Sequence, residues 1–96
     1  MNDAITPEKL EKYFQITRRA LKKAKHSAPK ETHLRHAADD FLDMIKRYVS
    51  DAEHFRAKGE MVTAFAALNY AHGWLDAGAR LGLFDVGHDS ELFTVE

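Results

Sequence analysis

Cysteine is missing from the chain altogether, so no disulfide can staple it and no thiolate can hold a metal or act as a nucleophile. That absence fits a reducing compartment, and the expected location is the cytoplasm. Proline occurs only at positions 7 and 29, which leaves long stretches free to form uninterrupted helix. No long apolar run exists either. The longest uncharged stretch, Met61 to Leu75, contains Thr63, Asn69, Tyr70, His72 and Gly73 and is too short to span a bilayer. The opening Met-Asn-Asp-Ala-Ile lacks the basic-then-apolar pattern of a secretory signal. Also missing are a glycine-rich phosphate loop, a nucleophile elbow, a paired-carboxylate cleft and the twin Glu-x-x-His motifs of a di-iron bundle. Nothing positive therefore points to catalysis, and no cofactor is expected.

The 96 residues that remain are enough for one core, and a chain this short must draw its stability from long, well-packed helices. The spacing of apolar residues predicts three of them. Thr6 is a cap, Pro7 suits a first helical position and Glu8 complements the positive end of the helix dipole. Leu10, Tyr13, Phe14, Thr17, Ala20, Leu21 and Ala24 then recur every three or four residues, giving a helix over about 6–25. The stretch His26-Ser27-Ala28-Pro29 breaks it. A second helix is expected over 30–58 with the stripe Leu34, Ala37, Ala38, Phe41, Ile45, Tyr48, Ala52 and Phe55. Lys58 followed by Gly59 reads as its cationic last turn and left-handed cap. The link to a third helix, over 60–81, is then so short that the two must form an antiparallel hairpin.

That third helix is apolar over most of its circumference. Met61, Ala64, Phe65, Leu68, Ala71, Leu75 and Ala79 make one stripe, and Ala67, Tyr70, Trp74, Ala77 and Leu81 a second beside it. Two neighbouring helices cannot cover both, so Tyr70, Trp74 and Leu81 form a candidate interaction face. Two covers are available: the turn-rich tail 84–96, with Phe84, Leu92, Phe93 and Val95, or a second copy of the chain. The tail is favoured because it is always present at high local concentration. Gly73 and Gly78 fall inside the helix, where glycine costs about 1 kcal/mol relative to alanine, so each calls for close approach by another backbone, from the tail, a neighbouring helix or a second copy; Gly82 is explained as a cap. The fold class expected is thus all-α: an antiparallel up-and-down three-helix bundle with a short C-terminal tail, one domain over 1–96.

Two polar constellations and one charge asymmetry stand out. His33, His36 and Asp40 lie at helical spacing and carry ligand chemistry competent for zinc, though a solvated helix face explains them as well. Asp76 and Arg80 stand four apart, with His72 one turn earlier. They read either as a structural ion pair beside a core histidine or as a small ligand site of imidazole, carboxylate and guanidinium. Finally, Glu8–Lys30 holds eight Lys/Arg against two Glu, whereas Glu31–Glu96 holds six Lys/Arg against twelve Asp/Glu. The basic first helix is either a nucleic-acid face or one of two oppositely charged helices lying side by side. It lacks the interleaved aromatics of a single-stranded nucleic-acid platform.

One segment carries a family resemblance. Tyr48, Asp51-Ala52, Lys58-Gly59, the string Tyr70-Ala71-His72-Gly73-Trp74-Leu75-Asp76-Ala77-Gly78, and Leu81-Gly82-Leu83 together resemble an archaeal family of uncharacterised proteins, domain-of-unknown-function family 357. The resemblance implies an up-and-down three-helix bundle of archaeal cytosolic origin and no particular activity. Where the family often has aspartate after the glycine, this chain has Glu60, a poorer helix cap. The function expected is a non-enzymatic interaction or assembly module, acting on an unknown protein partner or on itself and not on a membrane. The alternatives are a nucleic-acid-binding accessory protein or a ligand site near His72, Asp76 and Arg80.

Overall fold

The computed structural model describes residues 5–27 and 33–84. The tail from 85 onwards, with Leu92, Phe93 and Val95, lies outside the described residues, as do the Ala28-Pro29 break and positions 30–32. Three helices are present, α1 (Pro7–Ser27), α2 (His33–Ala57) and α3 (Met61–Arg80), and they pack as an antiparallel up-down-up bundle. α1 runs two residues beyond its expected end at position 25, through Ser27.

Three of the helix ends have their cause in sequence. The Thr6 hydroxyl accepts from the Lys9 amide at 3.1 Å, and its carbonyl takes the first helical bond, from the Leu10 amide. α2 ends in a six-to-one bond from the Glu60 amide to the Phe55 carbonyl and a bond from the Gly59 amide to Arg56, with Gly59 at φ +79°. α3 repeats this two-bond cap: the Leu83 amide reaches the Gly78 carbonyl at 2.8 Å, the Gly82 amide reaches Ala79, and Gly82 sits at φ +78°. Both are Schellman closures, which need a left-handed residue that glycine supplies without strain. At the start of α3 the Glu60 side chain makes no capping bond, so that helix begins uncapped at Met61.

The core divides along the bundle axis. At one end Leu10 and Phe14 of α1 meet Ala52 of α2 and Ala64, Ala67 and Leu68 of α3. At the other, Ala20 and Ala24 meet Ala38, Leu42, Ile45 and Val49, with Ala71, Leu75, Leu83 and Phe84 closing the layer. α3 is the hub: it packs most extensively on α2 and next on α1, while α1 and α2 touch least. Their seam is finished by charged groups instead. Arg18 pairs with Glu53, Arg56 pairs with Glu11 at 3.2 Å, and the Arg56 guanidinium lies 3.9 Å from the Phe14 ring centre. Part of the charge asymmetry is therefore structural, although the two bridges run in opposite senses.

The middle of α2's buried stripe is Ala38, Leu42, Ile45, Val49 and Ala52. Phe41, Tyr48 and Phe55, which the apolar spacing assigns to that stripe, are only half-buried at its edge, and Leu34 is exposed. Their displacement is what sets up the surface on α3.

Candidate functional site

α3 turns a continuous band of uncharged residues to solvent: Val62, Ala66, Tyr70, Gly73, Ala77 and, one residue past the helix, Leu81. Val62, Tyr70 and Leu81 are large, and each is more than 60 % exposed. The small residues Ala64, Ala67, Ala71 and Gly78 are buried with Leu68 and Leu75 and let α3 settle deep between α1 and α2, while Val62, Tyr70 and Leu81 are left on the outside.

The aromatic rings at the edge of α2 flank this band. Trp74 is half-buried with its ring edge-on to Phe41, centroids 4.8 Å apart, and Tyr70 stacks on Tyr48 at 5.5 Å. The second helix thus supplies part of the cover for both residues, which the sequence reading sought only from a tail or a second copy. Between the rings and the band lies an apolar groove of about 600 Å³ floored by Ala66, Gly73 and Ala77 and walled by Phe41, Tyr70 and Trp74, with Asn69 at its rim. Leu81 does not line it.

The expected polar site assembles only in part. His72 Nε2 lies 3.6 Å from Asp76 Oδ1, one turn along α3, and both line a second groove of about 370 Å³ against Tyr13, Ile16 and Thr17 of α1. Arg80 is exposed and forms no ion pair with Asp76, whose helical neighbour in that role is His72. The expected Asp76–Arg80 pair is thereby corrected: at i+4 the arginine extends into water along the outer face, whereas the imidazole is held at the α1 boundary. His72 is also no core residue, since 28 % of its side chain is open to solvent. Imidazole and carboxylate converge without the guanidinium, so the three-group ligand site is not built.

Of the metal trio, His36 and Asp40 are exposed on α2 and the His33 side chain lies outside the described residues. Among the described residues no group of three or more histidines and carboxylates comes together to hold an ion. The basic side of α1 exposes Lys9, Lys12, Arg19, Lys22 and Lys25, with a shallow cleft bounded by Arg18, Leu21, Lys22 and Lys25. No described helix is long and apolar enough to cross a membrane.

The two internal glycines divide sharply. A Cβ on Gly78 would fall 2.2 Å from Cε2 of Phe84, so the missing side chain is what seats that buried ring, rather than a neighbouring backbone. At Gly73 no described atom comes within 4 Å. No backbone among the described residues makes the close approach that a mid-helix glycine calls for at Gly73.

Neither a curated protein nor a solved structure matches the chain. The family model described as "Protein of unknown function (DUF357)" matches residues 12–84, which takes in most of α1 as well as the segment from Tyr48 to Phe84, and the chain belongs to that family.

Proposed function

We propose that this protein is a non-enzymatic interaction module, working in the cytosol of an archaeon, whose α3 presents its outer face to a helical partner. One observation carries the reading: an uncharged, largely apolar band runs the full length of α3 in the open, with a groove of about 600 Å³ along one side. Scattered exposed apolar residues are ordinary on a protein surface, but a contiguous patch beside a groove marks a site of association. Small residues at its centre admit a close-packed helix, and the aromatic rings beside them supply rigid contact area.

The test is acrylamide quenching of Trp74, the single tryptophan, in dilute full-length protein. A docking face that stands open gives the intermediate quenching of a half-buried indole, unchanged when Leu92 and Phe93 are both replaced by aspartate. Weak quenching that rises sharply in the Leu92→Asp, Phe93→Asp variant would mean that the protein's own tail fills the groove, and the reading would fail.

A further inference from the structure

We infer that the occupant of the α3 face is α3 of a second copy, packed antiparallel about a two-fold axis that passes between positions 71 and 72. This rests on the docking reading above and names its partner.

The register follows from the exposed band itself. Its members stand at 62, 66, 70, 73, 77 and 81, and read from either end the intervals are four, four, three, four and four. In an antiparallel pair centred between 71 and 72, Val62 faces Leu81 of the second copy, Ala66 faces Ala77, and Tyr70 faces Gly73. Two-fold contacts are isologous, so a surface must be complementary to itself, and this one is. Two large residues meet at each end and two alanines meet between them. Near the axis the largest side chain of the band meets the position that has none. The open Gly73 thereby gains a neighbour that the described residues do not give, the tyrosine of the second copy, whose ring stacks on its own Tyr48. Residues four apart form the ridges by which helices most often interlock, and alanine and glycine let the axes approach to about 8 Å.

Charge agrees with the register. From Met61 to Leu75 α3 carries no charged side chain, so the middle of the contact desolvates none. The antiparallel register keeps the two exposed Arg80 side chains at opposite ends of the contact. A parallel pairing would instead set the arginines together. The band is about 28 Å long and one helix wide, which places the contact at the small end of specific interfaces. The dimer is therefore weak, with a dissociation constant on the order of micromolar or above, and it comes apart on dilution.

The native absence of cysteine makes the test clean. Full-length Ala66→Cys and Ala77→Cys are prepared separately, and both positions are exposed, so neither change disturbs the core. On mild oxidation a mixture of the two should form a disulfide dimer at least tenfold faster than either alone, because each thiol faces the other position across the axis. Sedimentation equilibrium on the unmodified chain should show a reversible monomer–dimer equilibrium, and Tyr70→Asp should weaken it at least tenfold with the helical circular dichroism unchanged. Either single-cysteine variant linking to itself as fast as the mixture links would overturn the antiparallel register. A monomer up to millimolar concentration with Trp74 open to quencher would overturn the second copy while leaving the face free for a different helix. A monomer whose Trp74 is shielded would overturn both this inference and the docking reading.

Discussion

Two glycines in one helix should respond to the same substitution with opposite signs, and the structure fixes which is which. Replacing a mid-helix glycine by alanine stabilises an unobstructed helix by about 1 kcal/mol through backbone entropy. Gly73 is exposed and has no described atom within 4 Å, so Gly73→Ala should realise about 0.5–1 kcal/mol of that gain in the monomer. Gly78 is buried, and the new methyl would sit 2.2 Å from Cε2 and 2.7 Å from Cδ2 of Phe84. That ring cannot simply slide away. It is 1 % exposed, and its backbone follows directly on the Leu83 amide bonded at 2.8 Å to the carbonyl of Gly78 itself. Forcing a methyl into a packed core costs about 1–3 kcal/mol, and expelling the ring altogether forfeits about 3 kcal/mol of burial at most. Set against the propensity gain, Gly78→Ala should lower stability by about 1 kcal/mol, which for a domain of this size is a fall in Tm of about 4–8 °C. Thermal melts followed by circular dichroism on dilute protein measure both. The cause is isolated by repeating Gly78→Ala in a Phe84→Ala background, where the obstruction is gone and alanine should become the better residue. If Gly78→Ala raises Tm as Gly73→Ala does, the account of the α3 terminus is wrong.

Other expectations follow from single contacts. Arg56→Ala should cost about 1–2 kcal/mol, because it removes the nearer of the two guanidiniums over Phe14, leaving Arg18 at 4.9 Å, and leaves Glu11, one of whose carboxylate oxygens is already buried without a partner, unpaired. Arg56→Lys should recover less than half of that in chemical denaturation, since an ammonium cannot both stack and bridge. Arg80→Ala should change monomer stability by less than about 0.5 kcal/mol, and a double-mutant cycle with Asp76→Ala should show no coupling in the monomer. The exposed lysines of α1 should give only weak binding to RNA or DNA that disappears near physiological salt, as backbone-only contacts do. Sub-micromolar binding at such salt, abolished by changing Arg19, Lys22 and Lys25 to serine, would favour a nucleic-acid role over an interaction module.

Much of the scaffold was legible because periodicity and caps are local. Thr6, Gly59 and Gly82 close their helices as their chemistry dictates, and the buried residues of α1 are those its spacing picks out. The centre of α2's buried arc was harder to place. Its apolar residues spread over a wide sector, and nothing within one helix tells whether Phe41 or Leu42 faces inward. The answer depends on Ala67, Ala71 and Gly78 drawing α3 inward, which is a property of the pair of helices. The candidate face was legible as an excess of apolar surface on α3, but its partners Phe41 and Tyr48 were hidden among core assignments. His72 and Asp76 show the limit of spacing in another way. An aspartate has helical neighbours at both i−4 and i+4, and only the position of α1 decides that His72, and not Arg80, stands beside it.

The most direct test of the α3 face is side-chain methyl accessibility, read by NMR as relaxation from a soluble nitroxide over a range of protein concentrations. In dilute protein the methyls of Val62, Ala66, Ala77 and Leu81 should relax strongly, while those of Leu68 and Leu75 stay protected. As concentration rises through the range expected for the dimer, the exposed set should become protected together and the buried set should not change. Protection of Val62, Ala66, Ala77 and Leu81 already complete at the lowest concentration, or full exposure at every concentration, would contradict the account.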